Sequence, residues 1–169
     1  AILSVANFEE GKFVVMATKN GIIKKTVLSA YSNPRMGGIR SINLEEGDRL
    51  ISVALTGGSH EIFLGTKGGL SNRFAEDEVR AVGRVSVGVY GIRLREDEVI
   101  RMEVLEPNSN AMLLTVTENG YGKRTEFSEY SPHGRGGRGV ITIQTSPRNG
   151  NVIAVLKVSQ EEEVMLITS

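Results

Sequence analysis

The sequence predicts an all-β protein made of short strands in a repeated, bladed arrangement. Twenty glycines against four prolines, with no tryptophan, indicate many tight turns between extended segments. The apolar runs are short and bounded by Gly, Asn and Asp, as in strands and hairpins, and helical periodicity is weak throughout. A turn glycine also recurs about every fifty residues, at Gly21, Gly69 and Gly120, which is the spacing of a repeat architecture.

A second set of glycines keeps the same interval. Gly38, Gly88 and Gly139 begin the segments GIRSINL, GVYGIRL and GVITIQT, again about fifty residues apart. Within the first repeat we predict four strands, FVVMAT, GIIKKTVL, GIRSINL and RLISVAL, with corresponding segments in the other repeats. The Asn20-Gly21 pair tolerates positive φ and predicts a tight hairpin turn between the first two strands. Four strands per repeat are typical of radially arranged blades.

The spacing of these markers predicts the boundaries of the repeats. The first residues align with the last strand of a repeat, and EVMLITS at the other end aligns with a first strand. Because an unpaired terminal strand would leave an exposed edge, we expect the chain to be part of a longer polypeptide. The expected units are the last strand of a preceding blade (1–10), three full blades (11–58, 59–108 and 109–159) and the first strand of a following blade (160–169).

Composition and charge exclude several classes of protein. There are no cysteines, which excludes disulfide frameworks and thiolate metal sites and fits the cytoplasm. No apolar run approaches the ~20 residues needed to span a bilayer. His60 and His133 lack ligand spacing, so we expect no metal or other cofactor. With 20 basic and 20 acidic residues, a case for nucleic acid must rest on where the charges lie.

Aligning the repeats brings cations to one position just after each hairpin turn. Lys25, Arg73 and Arg124 form this first row, with Lys24 and Lys123 beside two of them. Acidic residues gather mainly in other turns, so zero net charge is compatible with a surface of two signs. Charges on strands also commonly form cross-strand ion pairs or only meet solvent, and that alternative stays open for any single cation.

A second row of arginines lies in a glycine-rich segment before the third strand of each repeat. These segments are PRMGGIR (34–40, loop 1), RAVGRVSVG (80–88, loop 2) and HGRGGRGV (133–140, loop 3). Flexible glycines beside arginines allow backbone N–H groups and guanidinium groups to approach the same phosphate of a duplex backbone. Many regularly spaced phosphate contacts add up through counterion release. The row comprises Arg35 and Arg40, Arg80 and Arg84, and Arg135 and Arg138.

Several segments resemble one known family over essentially the whole chain. MATKNGIIKKTVLSAYS, VTENGYGKRTEFSEY, GVYGIRLREDEVI and GRGGRGVITIQTSPRNGNVIAVLKVS are similar to the family of C-terminal domains of bacterial DNA gyrase, from its A subunit. The resemblance implies a β-pinwheel, a propeller-like ring of four-stranded blades in which neighbouring blades exchange strands. It also implies a basic outer rim that bends and wraps duplex DNA without sequence specificity, so that strand passage by the rest of the enzyme introduces negative supercoils.

One motif departs from the pattern of that family. The GyrA-box, a heptapeptide of the type Gln-Arg-Arg-Gly-Gly-Lys-Gly in the first blade, is absent, and HGRGGRG is its nearest relative. Because it lacks the leading Gln, we interpret it as the equivalent loop of a later blade. Its box-like residues are Arg135, Gly136, Gly137, Arg138 and Gly139. The predicted DNA-contact residues are Lys24, Lys25, Arg35, Arg40, Arg73, Arg84, Lys123, Arg124, Arg135 and Arg138.

The resemblance implies a DNA-binding part of an ATP-dependent type II topoisomerase, with no catalytic activity of its own. The phosphate-loop pattern is absent from the sequence. The implied partners are double-stranded DNA, through its backbone, the rest of the gyrase A subunit, and through it the gyrase B subunit. The implied location is the bacterial cytoplasm at the nucleoid, away from membranes. Two alternatives are the related domain in the A subunit of topoisomerase IV, and a propeller-like scaffold for protein interactions, in which the charges serve solubility.

Overall fold

The computed structural model describes residues 1–165 and 167, and these residues form an all-β fold. No α-helix occurs among them, so none is long and apolar enough to cross a membrane. A short 3-10 turn follows the second strand of each repeat, at Leu28–Tyr31, Glu76–Glu78 and Phe127–Glu129. The strands are β1 (Phe13–Thr18), β2 (Ile22–Val27), β3 (Leu50–Thr56), β4 (Glu61–Thr66), β5 (Leu70–Ala75), β6 (Val89–Tyr90), β7 (Val99–Leu105), β8 (Met112–Thr117), β9 (Gly122–Glu126), β10 (Val140–Ile141) and β11 (Val152–Val158).

The strands form three sheets, one for each repeat. Sheet 1 has the order β3-β1-β2-β6, sheet 2 the order β10-β5-β4-β7, and sheet 3 the order β11-β8-β9. All strand pairs within the sheets are antiparallel. Strands β3, β7 and β11 lie at one end of each sheet, and β7 contacts both of the others. The fourth strand of each repeat is therefore innermost, and the opposite end of each sheet forms an outer rim.

The outermost strand of each four-stranded sheet comes from the following repeat. Strand β6 of the second repeat pairs with β2 of the first, with Ile22 opposite Tyr90. Strand β10 of the third repeat pairs in the same way with β5 of the second, with Ser71 opposite Val140. This exchange of strands between neighbours confirms the predicted pinwheel arrangement. In sheet 3, β9 pairs only with β8 among the described residues, so its outer edge is open.

The recurring turn glycines make room for this exchange. Gly69 has φ +86°, and a Cβ there would lie 2.2 Å from the carbonyl oxygen of Ile143. That close approach exists because Thr142 and Ile143, just after β10, both donate backbone hydrogen bonds to the Gly69 carbonyl. Gly21 stands in the same relation to Ile92, at 2.5 Å. The glycine therefore serves two needs, a positive φ in the hairpin and space for the next repeat.

Apolar side chains between adjacent sheets form the core. The cluster between sheets 1 and 2 includes Val15, Ile23, Leu64, Phe74 and Ile92, all fully buried. A second cluster between sheets 2 and 3 contains the Phe63 and Tyr130 rings, packed edge to face with centroids 4.9 Å apart in a favourable aromatic geometry. A third, smaller cluster covers the other face of sheet 1. Sheet 2 thus buries both of its faces against neighbouring sheets, as a blade between two others does.

One strand predicted from the sequence is not formed. Residues 38–44 of the first repeat carry no strand. Strands β6 and β10, which occupy the same place in the later repeats, pair with the second strand of the preceding repeat. Residues 38–44 have no preceding repeat in this chain to pair with, so periodicity alone could not provide their partner.

The flanking segments have no strand in the part of the chain that the structure describes. Residues 1–12 are irregular, although Leu3 and Val5 pack on the third apolar cluster. Residues 159–165 are likewise irregular. The rest of the expected final strand, within 160–169, falls partly on residues 166, 168 and 169, which lie outside the described residues. The two flanking strands therefore stay predictions.

Candidate nucleic-acid interface

The glycine-rich loops lie along the outer rim, next to the second strand of the preceding repeat. In loop 2, the backbone N–H of Val82 donates to the carbonyl of Lys25 on β2, at 2.8 Å. In loop 3, His133 donates in the same way to Arg73 on β5, at 3.0 Å. The two rows of cations identified in the sequence therefore meet at the junction between one repeat and the next.

Lys25 and Arg73, from the first row, bond to the following repeat. The Lys25 ammonium donates to the carbonyl of Glu76 at 3.0 Å, and the Arg73 guanidinium donates to the carbonyls of Phe127 and Tyr130 at 3.1 and 2.8 Å. Glu76 and Phe127 begin the 3-10 turns of the second and third repeats. The same contact thus joins both pairs of neighbouring repeats.

Each of these two cations also has a carboxylate and an aromatic ring nearby. Arg73 Nε lies 3.1 Å from Glu61 Oε2, and its guanidinium lies 4.1 Å from the Phe127 ring centre. Lys25 Nζ lies 3.8 Å from Glu76 Oε1 and 5.1 Å from the Phe13 ring centre. Both arrangements favour a cation held inside the protein. In this arrangement neither charged group is free to meet a phosphate.

Glu76 forms the centre of a buried polar network at the first junction. Its side chain is fully buried and accepts hydrogen bonds from the Thr56 hydroxyl at 2.6 Å and from the His60 backbone N–H at 3.1 Å. His60 also bridges to Glu106, with Nε2 2.9 Å from Oε1. Carboxylates that are buried need such partners, because desolvation would otherwise be costly. His60 and Glu76 are thus structural groups.

Arg124 and Lys123, the same positions in the third repeat, are exposed. They lie on β9, whose outer edge is open. The contrast with Lys25 and Arg73 arises because the chain supplies no later repeat to cover them in the described part. These two charges face solvent at the outer rim.

Lys24 is the most deeply buried of the predicted contact residues. Its side chain is 1% exposed, and its ammonium donates to the carbonyl of Ser41 at 2.6 Å and to the carbonyl of Arg84. Burial, with a smaller contribution from the Arg84 guanidinium, lowers the Lys24 pKa to about 8. The ammonium therefore bonds to the backbone of two loop regions and is shielded from solvent.

Loops 1 and 2 present most of their arginines outward. Arg35, Arg40 and Arg80 are exposed, and Arg40 donates to the side chain of Asn43 at 3.1 Å. Arg84 is partly buried, and it donates to the carbonyl of Arg40 at 2.9 Å. The second row is thus more accessible than the first, and Arg84 links the two loops.

Loop 3, with the box-like sequence, is joined to the second repeat. The Arg135 guanidinium donates to the carbonyls of Glu78 and Tyr90, both at 3.0 Å, and its backbone N–H donates to the Glu78 carboxylate at 2.8 Å. Gly136 and Gly139 have φ of +75° and +81°, and Gly137 forms a parallel bridge with Ile92. Arg138 is the exposed cation of this loop.

Two further exposed arginines were missed by the sequence analysis. Arg93 and Arg95 follow β6, and the Arg93 guanidinium lies 4.8 Å from the ring centre of Tyr90 on the outermost strand. Arg93 aligns with Asn43 in the first repeat and Gln144 in the third. A search for cations that recur in every repeat could not find it, because only the second repeat has a charge there.

The acidic turns accept hydrogen bonds from backbone N–H groups. Asp48 accepts from the N–H groups of Asn20 and Arg49, and Asp97 accepts in the same way from Gly68 and Glu98. The neighbouring ammonium of Lys19 lowers the Glu98 pKa. Among the described residues no group of three or more His, Cys, Asp or Glu could hold a metal ion.

Comparison with known proteins agrees with this geometry. The family described as DNA gyrase C-terminal domain, beta-propeller, matches residues 12–56, 60–101 and 111–159. Each matched segment holds one first-to-second strand hairpin. The first and third segments also contain the whole innermost strand of their repeat, and the second ends within β7.

The relatives are much longer proteins than this chain. The A subunit of DNA gyrase from Salmonella typhimurium is 46% identical over 168 residues, which cover 99% of this chain and 19% of the relative. The chain thus spans about a fifth of the length of the curated relatives it matches.

Two solved structures share the fold at lower identity. One is the C-terminal domain of DNA topoisomerase IV, with a TM-score of 0.85, 28% identity and coverage of 92% of this chain and 49% of that one. Another is the DNA gyrase A C-terminal domain, with a TM-score of 0.80, 25% identity and coverage of 92% and 52%. Together with the three matched repeats and the exchanged strands, these likenesses lead to one conclusion: this chain belongs to the family of DNA gyrase C-terminal, beta-propeller domains.

Proposed function

We propose that this chain binds and bends duplex DNA along its outer rim, as part of the A subunit of a DNA gyrase. The observation that carries the proposal is the placement of exposed cations at the outermost strands and loops of consecutive sheets. A rim of this kind offers a curved series of positive charges, and a duplex that follows it gains many phosphate contacts together. Family membership supports the same function.

The geometry favours a narrower contact set than the sequence did. The exposed groups are Arg35, Arg40, Arg80, Lys123, Arg124 and Arg138, together with Arg93 and Arg95. Arg84 and Arg135 lie at the same rim, but their guanidinium groups bond to backbone carbonyls. We assign Lys24, Lys25 and Arg73 to joining the repeats, since protein acceptors occupy their charged groups.

Recognition should be directed at the backbone of DNA. The rim carries arginine and lysine on loops and strand edges, with no helix or long ribbon among the described residues that could enter a major groove. We therefore propose little base specificity and a preference for flexible sequences, since bending a stiff duplex costs more.

The proposed setting is a bacterial type II topoisomerase. The chain would act with the rest of the gyrase A subunit, and through it with the B subunit, in the cytoplasm. The rest of the A subunit and the B subunit would cleave DNA and hydrolyse ATP. The present chain would guide the path of the duplex so that strand passage favours negative supercoils. The topoisomerase IV alternative is less supported, because the matching family is that of the gyrase domain and the gyrase A subunits of Salmonella typhimurium and Haemophilus influenzae are 46% and 42% identical to this chain.

A salt series with a charge-matched control tests the proposal. Affinity for a random-sequence duplex would be compared for the unaltered chain, a rim variant (Arg35→Gln, Arg124→Gln, Arg138→Gln) and a control variant (Lys12→Gln, Lys67→Gln, Lys157→Gln). For the rim variant we expect the log–log salt slope to become less steep by about 0.9 for each lost phosphate contact. The control, with the same change of net charge, should keep the original slope.

Two outcomes would contradict the proposal. Equal slopes for the rim and control variants would mean that only net charge matters and that DNA does not follow the rim. Weak binding with no salt dependence by the unaltered chain would favour the protein-interaction scaffold. Bending is tested separately by placing a flexible site at different positions within duplexes of equal length. A bend at that site would make the gel mobility of the complex depend on the position.

A further inference from the structure

One position on the second strand of two repeats bonds to the same pair of backbone sites. In the first repeat, Lys24 donates to the carbonyls of Ser41 and Arg84. In the second repeat, the aligned Asn72 donates to the carbonyls of Gly91 and Gly134, at 2.8 and 2.9 Å. Ser41 and Gly91 occupy equivalent positions, three residues after the marker glycine. Arg84 and Gly134 both lie in the glycine-rich loop of the following repeat.

We propose that Lys24 is a positioning residue that joins Ser41, directly after loop 1, to loop 2 and so fixes the arginines these loops present to DNA. The part that concerns DNA rests on the proposed function, whereas the joining of the loops does not. The carbonyl that Lys24 holds belongs to Arg84, whose guanidinium in turn donates to the carbonyl of Arg40 at 2.9 Å. Lys24 thus bridges the two segments from β2, and the bond from Arg84 to Arg40 joins the two loops directly.

The joint between loops 1 and 2 is charged, whereas the joint between loops 2 and 3 is neutral. Lys24 supplies an ammonium and Asn72 an amide. Because the Lys24 pKa is lowered to about 8, the first joint changes charge within a range where the second does not. The proposal therefore predicts a pH dependence at the Lys24 joint and none at the Asn72 joint, which packing alone would not produce.

The groups around the ammonium are few and can be named. Arg84 faces it from loop 2 and favours the neutral amine. Tyr31, after the second strand, donates its hydroxyl to the same Ser41 carbonyl at 3.3 Å, and burial raises its pKa, so it stays neutral in the range where Lys24 titrates. Across the hairpin, the residue paired with Lys24 is Met16, which does not titrate.

Backbone amide shifts measured by NMR against pH, without DNA, test the joint. The amides of Ile42 and Val85 follow the two carbonyls that Lys24 holds, so they should titrate with a midpoint at about pH 8. The amide of Ile92, which follows the Gly91 carbonyl held by Asn72, should not. Lys24→Met should abolish the titration, and Lys157→Met, an exposed control on β11, should leave it intact.

The substitution also controls for titration elsewhere in the chain. A shift change caused by any group other than Lys24 would persist in Lys24→Met. If that variant does not fold, Lys24→Gln, which keeps an amide donor as at Asn72, replaces it. Persistence of the titration in either variant, or its absence from the unaltered chain, would overturn the proposal.

Measurements of DNA affinity distinguish a positioning role of Lys24 from direct contact between Lys24 and a phosphate. We expect Lys24→Met to weaken affinity about three- to tenfold, because the loops lose their preorganisation, and to leave the salt slope unchanged. A slope less steep by about 0.9 would show that Lys24 itself contacts a phosphate, and the positioning role would be wrong. If the unaltered chain fails to bind DNA, the proposed function fails while the amide titration still decides the joint.

Discussion

The two junctions between repeats and the outer edge of the third repeat carry a cation at the same aligned position, in opposite environments. Lys25 and Arg73 are enclosed by the following repeat and bonded to its backbone, whereas Arg124 on β9 is exposed. The difference teaches that alignment identifies equivalent positions but not equivalent roles. A cation just after a hairpin turn joins the repeats where a following repeat covers it, as at Lys25 and Arg73.

The turn glycines show the same contrast. A Cβ at Gly69 would meet the carbonyl of Ile143, whereas at Gly120 it would meet nothing within 4 Å. Both residues have positive φ, +86° and +79°. The hairpin alone therefore requires glycine for its positive φ. The covered position also requires that glycine has no side chain.

The largest effect is expected from Gly69→Ala compared with Gly120→Ala. The first substitution places a methyl group 2.2 Å from a backbone oxygen, and relief would break the hydrogen bonds from Thr142 and Ile143, so we expect a loss of about 3 kcal/mol or more. The second should cost about 1 kcal/mol, the penalty of a left-handed conformation for alanine. Urea unfolding measures both, and equal losses would remove the distinction between the covered and the open hairpin turn.

A smaller effect is expected from Arg73→Met compared with Arg124→Met. Methionine keeps much of the apolar stem but leaves the carbonyls of Phe127 and Tyr130 and the Glu61 carboxylate without their donor. We expect the free energy of unfolding to fall by about 2–3 kcal/mol for Arg73→Met and by less than about 0.5 kcal/mol for Arg124→Met. If chemical denaturation ranks them the other way, the inter-repeat bonds of Arg73 do not stabilise the fold.

The smallest effect is expected in the pH dependence of stability, compared between the unaltered chain and Lys24→Met. The folded-state pKa of Lys24 is about 8, below its unfolded value of 10.5, so the unfolded chain binds more protons between these limits. The free energy of unfolding should therefore rise with pH through this window, and Lys24→Met should rise less. Measurements at pH 7 and 8.5 stay below the range in which Tyr31 and Tyr130, whose pKa values burial raises, oppose the trend. Parallel curves for the two proteins would contradict the burial of the ammonium.

Much of the fold could be predicted, because its signals are local and repeated. The spacing of Gly21, Gly69 and Gly120 indicated three repeats, and short apolar runs indicated the strands that the structure contains in each. The strand at 38–44 failed because its partner would have to come from another repeat. Pairing across repeats is a property of three-dimensional neighbours, and a strand pattern does not contain it.

The sequence identified the glycine-rich loops, and their contact with DNA stays a prediction. The glycine-rich loops do lie at the rim, with Arg35 and Arg138 exposed as a phosphate contact requires. The sequence could not separate these from Lys24, whose side chain is 1% exposed, because a buried cation and a surface cation look alike in one strand. Arg93 was missed for the opposite reason, since it has no charged counterpart in the other repeats.

The sequence by itself determined the repeat length, the all-β class, the hairpin turns and the family, because each depends on residue types at short or regular separations. Only the tertiary structure decided which cations are free. Burial of Lys24, Lys25 and Arg73 depends on carbonyl groups supplied by segments from 17 to 60 residues away. A charge leaves water when a neighbour provides acceptors to replace its hydration, and that condition is met only once the repeats have packed together.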